Sequence, residues 1–427
     1  MLTLRRELTL GVTLAIGSLH GAAPFASPTL TVLYTFSGGA DGGRPTSGIT
    51  PGSNGVLYGT AYNGGAEGYG VVFSLTPPAS AGGSWTQSVL HSFASSGDGQ
   101  YPNAGVAIGE GGVLYGTTTY GGNTSCTFGC GTVYSLTPPV SPGGSWTETV
   151  IHEFSGADGN YPYSTPLIGP GGILYGTCPQ GGAGVGTAYS LTPPASPGGS
   201  WADDIIHNFG NGSDGAYPYA GFTIVRGVLY GATVGGGTSL NWGTIYSLTP
   251  PASAGGLWTK ATLYAFLGPR ANDGGGPYAP PVRGSGGIFY GTTTAGTFFG
   301  DSSPRGTAYS LSPPATPGGV WTESVLYTFQ KSSGGNSPYA PLIVKSNGTL
   351  LGTAPFGYFS GYGTAFELLP PSSPGAAWSE RVLHSFGKGP YGQNPLGGLA
   401  LGSGGVLFGT TENGGTSGSG TIYALTL

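Results

Sequence analysis

Five aspartates, Asp41, Asp98, Asp158, Asp214 and Asp273, each open an Asp-Gly-x-x-Pro segment. The residue after the recurring proline is Thr46, Asn103, Tyr163, Tyr219, Tyr278, Tyr339 and Leu396 in turn. Tyrosines beside carboxylates suit stacking on sugar rings and hydrogen bonding to their hydroxyls. Two opposed carboxylates at a set separation also hydrolyse glycosides, and Asp158 with Asp273 is one pair this pattern offers. Regular recurrence favours a plainer role for each aspartate, as a turn residue whose carboxylate takes nearby backbone N–H groups. The tyrosines divide more evenly between channel packing and ligand contact.

Further aromatics stand in the longer loops: Tyr62, Tyr120, Phe128, Trp242, Phe298, Phe299, Phe356, Tyr358, Phe359 and Tyr362. The candidate ligand-contact set is Tyr163, Tyr219, Tyr278, Tyr339, Asp98, Asp158, Asp214, Asp273, Trp242 and Phe299. Four histidines, His91, His152, His207 and His384, share one repeated position that Tyr34, Tyr264 and Tyr327 occupy elsewhere. His/Tyr exchange indicates hydrogen bonding and packing. These histidines lie in separate repeats, so they are not expected to converge on a metal, and a Ser-His-Asp triad loses support. No metal, cofactor or catalytic residue is expected. Cys126 and Cys130 bracket a short loop that an oxidising compartment would close as a disulfide, and Cys178 reads as a free small hydrophobe.

These residues sit in a unit of roughly sixty residues that occurs seven times, marked by Leu-Tyr-Gly-Thr with glycines at 59, 116, 176, 231, 291, 352 and 409. The second unit reads as four short strands. Tyr101 to Ile108 is the first, Val113 to Thr118 the second, Thr132 to Leu136 the third and Trp146 to Phe154 the fourth, with a Thr-Pro-Pro connector before the last. A repeated four-stranded antiparallel unit is a propeller blade. The third strand occurs seven times, but the tryptophan opening the fourth occurs six times, at 85, 146, 201, 258, 321 and 378. Thr29 to Phe36 matches the absent fourth strand, with Pro28 in the tryptophan's place. The expected fold is therefore all-β, a seven-bladed β-propeller over 29–427 whose last blade is closed by the N-terminal strand. Closure removes the exposed edges of an open array. An open β-solenoid is the competing architecture and gives no reason for the split repeat. The tyrosines of Leu-Tyr-Gly-Thr are expected in the core.

The ordered submotifs Asp-Gly-x-x-Pro, Leu-Tyr-Gly-Thr-Thr with Gly-Gly, Gly-Thr-Val-Tyr-Ser-Leu and Trp-Thr-x-x-Val-Leu-His-x-Phe resemble the bacterial GloVer tandem repeat across residues 29 to 427. The Gly-Gly and tyrosine pattern is also similar to kelch repeats, with a different order around the tryptophan. The resemblance implies an exported or surface protein, often with a C-terminal anchor. This sequence ends on a strand instead, so release into periplasm or medium is the expectation.

Composition and the first residues agree with that expectation. Only 7% of residues are charged and the net charge is −5, so no basic stripe exists to neutralise phosphates and nucleic acid is excluded as a partner. Glycine and proline number 88 and 36, and they fall at fixed places between apolar runs, as turns rather than as low-complexity sequence. Arg5-Arg6, the apolar stretch Leu8 to Leu19 and the small residues to Ala26 read as a signal peptide over 1–26. No later run is long enough for a membrane span. Loops entering the first strand, and those between the second and third, share the variable face, where function is expected. A monomeric, secreted or periplasmic, non-catalytic binding or scaffold propeller contacting a glycan or peptide is the leading expectation. A glycosidase or polysaccharide lyase and a purely structural surface repeat are the alternatives.

Overall fold

Each repeat must bury the apolar face of a short sheet against its neighbours, and the sequence does so by closing a ring. The computed structural model describes residues 27–427 except 81, 96, 142, 197, 254, 297–304, 317, 331–334, 358–360 and 374. The expected leader over 1–26, and Phe298, Phe299, Tyr358 and Phe359, lie outside the described residues. Seven four-stranded antiparallel sheets form the blades. Blade 2 is representative, with Ala107–Ile108 innermost, then Leu114–Thr118, Thr132–Thr137 and Thr147–Glu153 at the rim. Blade 7 is built from Ala400–Leu401, Leu407–Thr411 and Thr421–Thr426, and its rim strand is Thr29–Thr35 from the other end of the chain. Thr29 pairs with Thr426 and Thr35 with Thr421, so the ring closes as the repeat count requires. No helix among the described residues is long and apolar enough to cross a membrane.

The first strand is shorter than expected. In blade 2 only Ala107 and Ile108 pair with the second strand, and Tyr101 to Val106 lie outside the sheet ladder. Pro102 has no N–H to offer a ladder. The blades also crowd there: a Cβ on Gly105 would lie 3.4 Å from the Gly48 carbonyl of blade 1 and from Thr165 Oγ1 of blade 3.

The core is a set of seven hydrophobic clusters, each filled from two adjacent blades. The phenylalanine ending each rim strand, such as Phe93, Phe154 and Phe209, is fully buried in one of them. Burying one such ring stabilises by about 1.5–3 kcal/mol. The fully buried tyrosines are those of the third strand, Tyr134, Tyr246, Tyr309 and Tyr423, with Tyr189 close behind. Of the tyrosines of Leu-Tyr-Gly-Thr, Tyr175 is buried in the core as expected, whereas Tyr58, Tyr115, Tyr230 and Tyr290 are only partly buried. Tyr58 and Tyr115 are half-buried, each edge-on to the tryptophan opening the next blade's rim strand, Trp146 and Trp201. Alternation along the second strand turns them away from the face that meets the third-strand ring.

Adjacent blades are also joined by a seam of glycine and proline. The residue before each recurring proline donates its N–H to the residue preceding the third-strand glycine of the blade before, as in Tyr101 to Tyr69 O and Tyr161 to Cys130 O. The glycine that follows, Gly70 or Gly131, has positive φ and lies against the proline ring, so that a Cβ there would meet Pro102 Cδ at 2.5 Å or Pro162 Cδ at 2.7 Å. The same contact recurs through Gly186 with Pro218, Gly243 with Pro277, Gly306 with Pro338, Gly363 with Pro395 and Gly420 with Pro45.

Candidate functional site

Entry loops and second-to-third loops share one face, tied together by isolated bridges such as Gln100–Tyr120, Asn160–Gln180 and Gln393–Asn413. At its centre the seven post-proline residues, Thr46, Asn103, Tyr163, Tyr219, Tyr278, Tyr339 and Leu396, line one cavity of about 310 Å³ at the mouth of the axial channel. The four tyrosines form a continuous arc. Ring centroids are 5.3 Å apart for Tyr163–Tyr219, 5.3 Å for Tyr219–Tyr278 and 4.8 Å for Tyr278–Tyr339, with Phe356 6.1 Å beyond Tyr339. Burial pushes the hydroxyls of Tyr163 and Tyr278 up to about 12, and Tyr219 and Tyr339 also rise. All four stay protonated at neutral pH and are able to donate as well as accept.

A second aromatic run adjoins this arc on blades 1 to 3. Tyr62 lies 4.9 Å from Tyr101, Tyr101 lies 5.9 Å from Tyr120, and Tyr120 lies 5.3 Å from Tyr161. The Arg44 guanidinium sits 5.7 Å over the Tyr62 ring and pairs with Glu412. Cys126 and Cys130 form the expected disulfide, Cys178 is free and buried, and the small loop presents Phe128, 78% exposed, beside Tyr120. Tyr161 donates its hydroxyl to Thr127 O and holds that loop down.

Tyr101, Tyr161 and Tyr217 were not singled out by the sequence, although all three occupy the column just before the proline. Every non-glycine residue in that column, from Arg44 to Asn394, has φ between 52° and 58°. Bulky residues seldom adopt this conformation, and steric pressure from a following proline normally favours extended backbone instead. The seam hydrogen bonds impose it, and the side chain is thereby turned outward beside the channel mouth.

The aspartates are elsewhere. Asp98 accepts from His91 at 3.0 Å and from Ala94 N; Asp158 accepts from His152 at 2.8 Å and from Ser155 N and Oγ. Asp214 pairs with His207 and Gly210 N, and Asp273 accepts from Tyr264 Oη, Leu267 N and Gly274 N. Each closes the turn after a rim strand and is held by that strand's His or Tyr, so the structure does not bring the aspartates to the tyrosine arc. A β-bulge makes the contact: Tyr134 faces Val150 while Val133 faces His152, leaving Ile151 extra and re-aiming the histidine. Each of these histidines also stands edge-on to the phenylalanine two residues on, at 4.8 Å.

Trp242 is pinned between loops of its neighbour, where a Cβ on Gly268 would lie 2.1 Å from its Nε1 and one on Gly275 2.6 Å from its Cε3. It packs rather than facing the channel mouth. Phe299 lies outside the described residues. The expectation of no metal-ligating cluster is modified at one point: His152, Asp158 and Asp203 bring ligand atoms within 4.8 Å of one another. No second histidine is involved. The partners are carboxylates from one blade's turn and the next blade's rim strand.

The family model described as Gloeobacter/Verrucomicrobia repeat matches residues 17–239, 84–299 and 183–423. No curated protein matches. Among solved structures, the chain is similar to the polysaccharide lyase Uly1 at 11% identity, covering 90% of this chain and 89% of that one, with a TM-score of 0.51. It is also similar to an ulvan lyase bound to -[GlcA(1-4)Rha3S]-, at 13% identity over 90% and 94% of the two chains, with a TM-score of 0.51. Sqt1 from Chaetomium thermophilum matches at 15% identity over 85% and 80%, with a TM-score of 0.44. Likeness at this level concerns the fold alone.

Proposed function

The chain belongs to the Gloeobacter/Verrucomicrobia repeat family, and from its closed ring we propose an exported, non-catalytic binding propeller that holds a glycan on the tyrosine-lined mouth of its channel. The observation that carries this reading is the convergence of four touching tyrosines on one cavity of about 310 Å³, a volume suited to a sugar residue. Ring faces supply stacking area and protonated hydroxyls supply directional hydrogen bonds. Charge is sparse across the chain, at 7% of residues, which favours a neutral or weakly charged ligand. The Cys126–Cys130 disulfide agrees with an oxidising compartment.

Catalysis is the second reading, since two of the structures similar in fold are polysaccharide lyases. Proton abstraction needs a base, and tyrosines raised to about 12 are poor ones. Asp158 and Asp273 are engaged in their own turns.

Affinity electrophoresis of the chain against a polysaccharide panel tests the proposal. At least one neutral or weakly acidic polysaccharide is expected to retard the protein, and the triple variant Tyr163→Ala/Tyr219→Ala/Tyr278→Ala is expected to migrate freely with an intact fold. Equal retardation of the variant would remove the tyrosine arc as the site. Unsaturated uronates or reducing ends appearing in the same mixtures would establish the enzymatic reading instead.

A further inference from the structure

Around the rim, five of the seven blade junctions combine the same three positions: the His or Tyr of one rim strand, the aspartate of the turn that follows, and the residue two after the tryptophan of the next rim strand. That last residue is Gln87, Glu148, Asp203, Lys260 or Glu323. Between blades 3 and 4 the junction is filled by a cation. Lys260 Nζ lies 3.1 Å from Asp214 Oδ1, which also faces His207, and the ammonium sits over the rings of Phe209 and Tyr246 at 5.9 and 5.4 Å. One junction earlier, between blades 2 and 3, the same place is framed by His152, Asp158 and Asp203, a second carboxylate standing where the lysine stands.

We propose that His152, Asp158 and Asp203 bind a divalent cation of the zinc class, which takes the place of the Lys260 ammonium and clamps blade 2 to blade 3. The donor set is one imidazole nitrogen and two carboxylates, which suits zinc over calcium or magnesium, whose sites are built from oxygen. Three protein ligands leave a fourth position for water in a tetrahedral shell. The His152 Nε2 to Asp158 Oδ2 separation of 2.8 Å needs only slight widening for both atoms to reach one ion. Coordination uses the Nε2 lone pair, so the ring carries its proton on Nδ1 when the ion is bound. Ser155 N and Oγ already hold Asp158 through Oδ1, leaving Oδ2 as the ligand atom and fixing its direction.

The rim strand carrying Asp203, Ala202–Asn208, and the turn carrying Asp158 come from different blades, so the ion bridges a junction. The turn leads within a few residues to Tyr161 and Tyr163. The site is nevertheless independent of any ligand at the channel mouth.

Titration calorimetry and thermal unfolding of the full chain with zinc, calcium and magnesium chlorides test the proposal, with cobalt(II) as a spectroscopic probe. Expected are one zinc per chain, a midpoint raised by ~2 °C or more at saturating zinc, the visible absorption of a tetrahedral cobalt centre, and little response to calcium or magnesium. Asp203→Asn lies at an exposed position and is expected to weaken zinc binding at least tenfold without unfolding the protein. Asp203→Lys recreates the neighbouring junction, and is expected to raise the metal-free midpoint while abolishing the zinc response. Asp204→Asn, one residue along on the other side of the strand, is expected to behave as the parent. Zinc that fails to bind, that binds Asp203→Lys as tightly as the parent, or that is matched by calcium would each overturn the proposal.

Discussion

A methyl group on Gly116 would sit 2.3 Å from the hydroxyl oxygen of Tyr134 and 2.4 Å from its Cζ. The glycine of Leu-Tyr-Gly-Thr is therefore the floor on which the third-strand ring lies. The same relation holds for Gly176 with Tyr189, Gly231 with Tyr246, Gly291 with Tyr309 and Gly409 with Tyr423, and for Gly59 with Phe73 and Gly352 with Phe366. Gly116→Ala is expected to destabilise by about 1–3 kcal/mol, since a packed core has no room to absorb the methyl. Chemical denaturation measures the loss. The double variant Gly116→Ala/Tyr134→Leu is expected to recover part of it, whereas a strictly additive double variant would show that the ring is not the obstacle.

The hydroxyls of Tyr134, Tyr189, Tyr246, Tyr309 and Tyr423 are buried and have no hydrogen-bond partner. A polar group in that position costs desolvation without return, and two blades already carry phenylalanine there. Tyr134→Phe is accordingly expected to be neutral or to stabilise by up to about 1 kcal/mol. A loss above that, read from denaturant midpoints, would reveal a partner for the hydroxyl.

Burial holds the carboxyl of Glu148 up at about 7 and that of Glu323 at about 8, with Asp98 and Asp273 adding repulsion and His91 opposing it at Glu148. A carboxyl raised on folding binds its proton more tightly in the folded chain. Its contribution is full below the ordinary value of 4.5 and is lost as pH rises through 7 to 8. Asp158 and Asp214 act in the opposite sense. Burial raises them, but hydrogen bonds from His152 and Ser155 to Asp158, and from Gly210 and Lys260 to Asp214, outweigh it and leave both below 3.8. Their stabilisation is lost in acid below that value. Thermal midpoints are expected to fall between pH 5 and 8, and Glu148→Gln/Glu323→Gln is expected to flatten that slope, gaining more at pH 8 than at pH 5. A parallel slope in the variant would assign the loss to other groups.

Removing residues 27–36 takes away the rim strand of blade 7 and the buried Phe36. The Thr421–Thr426 edge is then exposed along its length. The truncated chain is expected to aggregate or to lose its cooperative transition, and a synthetic peptide of residues 27–36 added in trans is expected to restore it. A truncated chain that unfolds at the parental midpoint would mean that the ring holds without its closing strand.

Much of this was legible because glycine and proline were. The count of rim-strand tryptophans against third-strand glycines marks the closing strand, and the post-proline column marks the tyrosine arc. The destination of the aspartates was not legible. Only three residues separate Asp158 from Pro162, yet the Asp-Gly turn sends the carboxylate back to the rim, and the bulge at Ile151 that aims His152 toward it breaks the two-residue alternation by which strands are read. Tyr101 and Tyr161 were missed because a tyrosine before proline is expected in extended backbone, and only contacts from the preceding blade make the left-handed form the stable one. The junction of His152 with Asp203 joins residues 51 positions apart, in different blades, which no spacing within one repeat displays.

The seam of backbone amides, glycine and proline has an evolutionary consequence. It asks nothing of the side chain before the proline, a position that holds Arg44, Tyr101, Gly276, Ser337 and Asn394 without change in the contact. The ring thus separates what holds it shut from what it displays. Duplication and recombination among blades would reshuffle the display like interchangeable type in a fixed frame, and new specificities would arise without a new folding problem to solve.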